Sequence, residues 1–126
     1  MAAPNIVGIT TLVGFSTFTT LANTNATSIV SNAAASNKVL KVTSVIVANT
    51  GDSNTEYCHV SLNDMASGGG GNRYIQKNVG IETGTSQVVI DRASAVYLEE
   101  NQSLVVQSNT RANVFDVIAS YEEIED

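Results

Sequence analysis

Residues 38–49, with the sequence KVLKVTSVIVAN, form the stretch that decides the fold. The stretch is rich in Val, Ile and Thr, which favour β-strands, and it contains neither Gly nor Pro. Alternate side chains of an unbroken strand share a face. One face then carries Leu40, Val42, Ile46 and Ala48, and the other carries Val45 and Val47. We therefore predict a long central strand that is buried on much of both faces.

Shorter segments with strand character follow at intervals of about ten residues, separated by turns rich in Gly, Asn and Asp. We predict strands at 56–63, 73–79, 86–91, 95–98, 103–108 and 112–121. Eight or nine short strands at this spacing are typical of an antiparallel β-sandwich or jelly roll. The sequence thus predicts one all-β domain with a sandwich body over residues 37–126. The predicted core contains Leu40, Val42, Ile46, Val60, Leu62, Val88, Ile90, Leu98, Leu104, Val106, Val117 and Ala119.

Residues 1–36 differ from the body because they carry no charged side chain. If they are extended, the odd positions place five large apolar residues on one face, which are Val7, Ile9, Val13, Phe15 and Leu21. Two interpretations remain open, either edge strands of the protein's own sandwich or an extended arm that lies on a neighbouring subunit. We predict that this stripe makes an assembly contact. The segment lacks the basic residues that open a signal peptide, so we interpret it as mature sequence.

The composition of the 126 residues argues against several classes of protein. The net charge is -6 and no cluster of Lys or Arg is present, so nucleic acid is not an expected partner. No run of about 18 apolar residues occurs, so a membrane is not expected either. A single cysteine excludes an internal disulfide. Ser, Thr and Asn together supply roughly 30% of the chain while charged residues supply 14%, which suggests a surface largely covered by other subunits.

Candidate catalytic residues are few, and each has a simpler explanation. Cys58 and His59 are adjacent on a predicted strand, so their side chains point to opposite faces and cannot form a thiol–imidazole dyad. The glycine run 68–71 is followed by Asn72 rather than by the Lys and Ser or Thr of a phosphate-binding loop, which favours a flexible hairpin tip. We therefore predict no catalytic residue and no cofactor.

Carboxylates cluster at Glu99 and Glu100 and again at 122–126. Both clusters lie at strand ends or at the terminus, where water should solvate them, so a paired-acid glycosidase is not favoured. The spacing does not match that of an EF-hand, although a weak calcium site remains an alternative. The sequence predicts no metal site.

Four stretches resemble a known group of proteins: MAAPNIVGITT at the start, KVLKVTSVIVANT, SAVYLEENQSLVVQSN and NVFDVIASYEEI. They are similar to stretches of small β-sandwich virion structural proteins of tailed bacteriophages, particularly those of marine cyanophages. The resemblance implies a non-enzymatic subunit on the surface of the phage particle, made in the host cytoplasm. It also implies a homo-oligomer, with a trimer favoured, whose partners are the major capsid protein or tail and neck proteins.

Within that group, we expect a capsid decoration protein that clamps neighbouring capsomers, because an acidic body with a neutral adhesive arm suits attachment on one side. A tail, neck or fibre subunit is the alternative. A carbohydrate-binding sandwich module is less favoured, because such sites usually offer exposed aromatic platforms and this chain has no Trp and four Tyr. The sequence offers no constellation that would support an enzyme.

Overall fold

Nine β-strands and one 3₁₀ turn make up the described part of the chain, which is Gly8 and residues 11–125 of a computed structural model. The strands are β1 (Thr11–Thr20), β2 (Thr27–Asn32), β3 (Val39–Asn49), β4 (Glu56–Asn63), β5 (Asn72–Ile81), β6 (Ser86–Ile90), β7 (Val96–Leu98), β8 (Gln102–Ser108) and β9 (Phe115–Glu125), with the turn at Arg92–Ser94. The all-β prediction is confirmed. Within the same residues, no helix is long and apolar enough to cross a membrane.

The strands form two antiparallel sheets that pack face to face. The first sheet has the order β1-β9-β3-β6, with β7 also paired to β3, and the second has the order β2-β8-β4-β5. The chain passes back and forth between the sheets, so that strands distant in sequence become neighbours. This is the strand order of a jelly roll. β1 and β2, from the segment with two open interpretations, are edge strands of the first and second sheets.

β3 lies inside the first sheet, between β9 on one side and β6 and β7 on the other. Its register with β9 shifts between Val42 and Ser44, which marks a β-bulge. An extra residue in one strand exchanges the faces of every side chain beyond it. Val45 and Val47 therefore face the core, whereas Ile46 is only half-buried. The prediction of Ile46 as a core residue is wrong for this reason.

Val88 is also wrong as a core residue, because irregular pairing turns it outward. The register between β3 and β6 shifts where β6 passes Val45 and Ile46, and Val88 is 57% exposed on the outer face. Leu62 lies opposite Leu104 of β8, in a pairing without a register shift, and packs half-buried against the core. The other nine predicted core residues are buried, and Phe115, which was not predicted, has the largest fully buried side chain.

Three buried asparagines end three consecutive strands: Asn32 ends β2, Asn49 ends β3 and Asn63 ends β4. Each side-chain amide donates two hydrogen bonds, at least one of them to a backbone carbonyl, and each side-chain oxygen accepts at least one. A buried polar group costs free energy unless it is paired in this way. The asparagines thus tie the strand ends to the loops that follow.

The glycine loop between β4 and β5 folds back over the outer face of the second sheet. The Ser103 hydroxyl donates to the carbonyl of Met65 at 2.8 Å, and the Gly71 N–H donates to the Asp64 carboxylate at 2.8 Å. Gly68 has a φ of +82°, and a Cβ on Gly70 would lie 1.9 Å from an Asp64 oxygen. The run thus lies at the tip of the β4–β5 hairpin, as predicted, and hydrogen bonds hold this tip against the sheet.

Candidate assembly surface

β1 is the most exposed strand of the first sheet. It pairs with β9 through ten consecutive residue pairs without a register shift, and no other described strand pairs with it. Nine of its ten residues are exposed and Thr17 is half-buried. Little of either face of β1 is therefore covered by the rest of the described protein.

Two of the predicted contact residues lie on the inner side of β1. Val13 is 43% exposed and Phe15 is 42% exposed. The Phe15 ring stacks on Tyr121 of β9, with 5.4 Å between ring centroids and an interplanar angle of 22°. This contact covers one side of the ring and leaves the rest accessible to another molecule.

Leu21 does not belong to the predicted contact. It is 1% exposed and is part of the hydrophobic core. Its N–H donates to the carbonyl of Phe115 at 2.9 Å, and its carbonyl accepts from the N–H of Asn113 at 2.9 Å. Leu21 therefore anchors the end of β1 to the protein's own body. Val7 and Ile9, the other two predicted contact residues, lie outside the described residues.

The outer face of the first sheet carries exposed apolar residues at even positions of β1. The predicted stripe, which consists of odd positions, does not include them. Phe18 is 79% exposed and Leu12 is 53% exposed. Phe18 lies opposite Ile118, which lies opposite Ile46, which in turn lies opposite Val88. Since opposite residues in antiparallel strands share a face, these four form an apolar row across the whole sheet. The apolar residues at even positions of β1 are visible in the sequence. Which residues of the other strands lie beside them depends on the strand order.

Acidic side chains lie one strand behind β1. Glu125, Glu123 and Glu122 of β9 lie opposite Thr11, Val13 and Gly14. Lys38 pairs with Glu123 at 3.0 Å, and this hydrogen bond raises the pKa of Lys38. β1 thus presents a neutral edge in front of an acidic strand.

Cys58 and His59 point to different sides of β4, as the sequence predicts. The Cys58 thiol is buried, which raises its pKa, and its sulfur accepts a hydrogen bond from the Gln76 amide at 3.2 Å. The Nδ1 atom of His59 accepts from the N–H of Asn78 at 2.9 Å. This arrangement does not bring the thiol and the imidazole together.

The acidic residues and the loops at one end of the sandwich form no metal site among the described residues. Among residues 11–125, no group of three or more His, Cys, Asp or Glu side chains is placed to hold a metal ion. A depression of about 410 Å³ lies between the loops 50–53 and 111–114. Arg111 lies at its rim and forms an ion pair with Glu56.

Glu56, at the start of β4, is a buried carboxylate that forms an ion pair with the exposed Arg111. Its side chain is 3% exposed, and it accepts hydrogen bonds from the Thr110 hydroxyl at 2.6 Å and from Nε of Arg111 at 2.8 Å. The Thr110 hydrogen bond lowers the pKa of Glu56 most, and Arg111 lowers it further against the opposing effect of burial. The pair ties β4 to the loop that leads into β9.

We expect Glu56→Gln to reduce the free energy of unfolding at neutral pH by about 1–3 kcal/mol, because an amide would face the Arg111 donors. Ionised Glu56 stabilises the fold above its unfolded-state pKa, and this contribution is lost as the pH falls through the lowered folded-state pKa. Urea melts at neutral and strongly acidic pH should therefore show the difference between the two proteins shrinking in acid. Exposed Glu82→Gln is the control and should have little effect at either pH.

The comparisons with known proteins concern the fold. No protein-family model matches the sequence, and no curated protein matches it either. The structure is similar to a chain of Bacillus endospore appendages described as disulfide-linked pili, with 12% identity, a TM-score of 0.51, and coverage of 100% of this chain and 98% of that one. It is also similar to a chain in the capsid structure of Helicobacter pylori bacteriophage KHP30, with 10% identity, a TM-score of 0.50, and coverage of 92% and 89%. Both likenesses describe a shared β-sandwich fold.

Proposed function

We propose that the protein is a non-enzymatic structural subunit of a phage virion, and more specifically a decoration protein on the outside of the capsid. The observation that carries the proposal is β1, a ten-residue uncharged edge strand with exposed apolar side chains on both faces. Such a strand suits contact with other proteins. The resemblance of four sequence stretches to tailed-phage virion proteins supports the same role.

The energetics of β1 suit a stable attachment. Burial of a large apolar side chain contributes about 1.5–3 kcal/mol before the cost of ordering is subtracted. Leu12, Val13, Phe15 and Phe18 all have surface left to bury. Because β1 carries no charge, burying it avoids the desolvation penalty of ionised groups.

The proposed attachment is non-covalent. The Bacillus appendages are described as disulfide-linked pili, but the one cysteine of this chain, Cys58, is buried in its own core. A thiol in that position cannot reach a neighbouring subunit without unfolding of β4. Contacts through the β1 edge and the outer face of the first sheet are the proposed alternative.

Single-particle imaging of particles of the phage that encodes this chain tests the proposal. We expect regularly arranged copies on the outside of the head, in contact with the major capsid protein. Copies confined to the tail, neck or fibres would replace the decoration role with the alternative role in the same virion. If mass spectrometry of purified particles does not detect the chain, the virion role is wrong.

A further inference from the structure

Within the part of the chain that the structure describes, the outer edge of β1 is unpaired and lacks the features that usually prevent strand edges from pairing. Exposed edges are commonly protected by charged residues, prolines or bulges. β5, the long edge strand of the second sheet, carries Arg73 and Lys77, and its pairing with β4 is shifted at two places. β1 is equally long but has no charged residue or proline, and its ten described pairs with β9 are in continuous register. Its edge is a regular template for another strand.

We propose that this template pairs with β1 of a second copy of the chain, antiparallel and around a two-fold axis perpendicular to the sheet. The first sheets of the two copies then form one continuous sheet. This inference rests on the assembly role proposed for β1 and names the partner at that site. Because a two-fold joint makes a dimer, a dimer replaces the trimer expected from the sequence as the basic unit.

The sequence of β1 is complementary to itself in one register. A two-fold axis perpendicular to the sheet keeps equivalent faces on the same side, so residues of equal parity lie opposite each other. Centring the axis on Phe15 places Leu12 opposite Phe18 of the partner subunit and Val13 opposite Thr17 of the partner subunit. The two Phe15 rings then meet on the inner side. Every large apolar residue of β1 gains a neighbour across the joint, and apolar cross-strand pairs stabilise sheets.

The apolar row on the outer face also favours this register. The row runs from Val88 through Ile46 and Ile118 to Phe18, which is its most exposed member. In the proposed joint, Leu12 of the partner subunit lies beside Phe18 and extends the row across the two-fold axis. Because the two-fold axis repeats this contact, the same pairing of Leu12 with Phe18 occurs at both ends of the joint.

The charges permit a second copy at this edge. Each chain has a net charge of -6, and acidic residues of β9 lie directly behind β1. In the joined sheet, two β1 strands separate the two β9 strands, which places them about 14 Å apart at the usual strand spacing. This separation exceeds the screening length of about 8 Å at physiological salt. The neutral β1 strands thus let two acidic bodies join without strong repulsion between their β9 strands.

Sedimentation equilibrium of the full chain tests the joint. We expect a dimer, and we expect the double variant Leu12→Lys with Phe18→Lys to raise its dissociation constant by about a hundredfold or more, because like charges would lie opposite each other. The double variant Leu12→Lys with Phe18→Glu should dimerise more tightly than the double-lysine variant, because opposite charges would then face across the axis. Far-UV circular dichroism should show that both variants remain folded.

Val88→Lys is the matched control. Val88 lies in the same apolar row and is similarly exposed, but it is on the opposite edge strand, so the dimer should persist. The inference is overturned if the wild-type chain is monomeric, if the double-lysine variant still dimerises, if the opposite-charge variant is no tighter than it, or if Val88→Lys alone abolishes the dimer. A monomer that nevertheless occupies the capsid exterior would overturn the joint and leave the proposed function standing. A dimer that is absent from virions would leave the joint standing and overturn the proposed function.

Discussion

Leu98→Ala is expected to lower the free energy of unfolding by about 2–5 kcal/mol. Leu98 is fully buried at the end of β7, opposite Leu40 of β3, and belongs to the core between the sheets. Removing its branched end leaves a cavity that the short strand β7 is poorly placed to fill, since it is held to β3 through three residue pairs. A urea melt followed by circular dichroism will measure the loss.

Glu99→Ala is the matched control for Leu98. Glu99 is the next residue and is exposed. The hydrogen bond at this position uses the backbone N–H of Glu99, which donates to the Gln102 side chain at 2.9 Å and survives the substitution. The expected change is within about 0.5 kcal/mol. Similar losses for the two variants would show that the corner after β7 is packed differently.

Asn49→Asp is expected to cost about 3–5 kcal/mol at neutral pH, although the two side chains have nearly the same shape. Asn49 is buried, and its amide donates to the carbonyl of Ile81 at 2.8 Å and to the carbonyl of Asn54 at 2.9 Å. A carboxylate would place an oxygen against two carbonyl oxygens. This repulsion and the burial of the carboxylate raise the folded-state pKa of the introduced carboxyl, which favours its protonated form.

The pH dependence distinguishes this mechanism from a simple loss of packing. A carboxyl whose pKa is raised by folding destabilises the protein at neutral pH, and the penalty decreases as the pH falls and the group becomes protonated. Urea midpoints for wild type and Asn49→Asp should therefore converge in acid. Asn54→Asp is the control, because Asn54 is exposed and uses its backbone carbonyl in this contact. An equal loss at every pH would contradict the proposed repulsion.

Local patterns in the sequence predicted the class of the fold well. The strands from β3 to β9 coincide with predicted segments to within a few residues, since alternation of apolar residues and turn chemistry are properties of short stretches. The same reasoning placed Cys58 in the core and His59 on another side of β4. Nine of the twelve predicted core residues are buried, and two of them, Leu40 and Val42, precede the bulge in β3.

Three asparagines have a role that the composition alone does not predict. Few charges and many Ser, Thr and Asn residues predict a surface covered by other subunits, and this stays a prediction. Asn32, Asn49 and Asn63 lie inside the protein, where they pair with the loops after their own strands. The position of each at a strand end was visible in the sequence, but the distant carbonyls of Leu98 and Ile81 were not.

What the sequence by itself determined is the set of strands, the turns between them and the uncharged character of the N-terminal segment. Only the tertiary structure decided which face of each strand is buried, because the bulge after Val42 arises from the pairing of β3 with β9. It also separated the residues of the predicted stripe. Leu21 is buried and bonded through its N–H to the carbonyl of Phe115, whereas Val13 and Phe15 stay accessible on β1. The reason is physical: alternation is set by neighbouring residues, whereas register, edges and coverage depend on strands that are far apart in the chain.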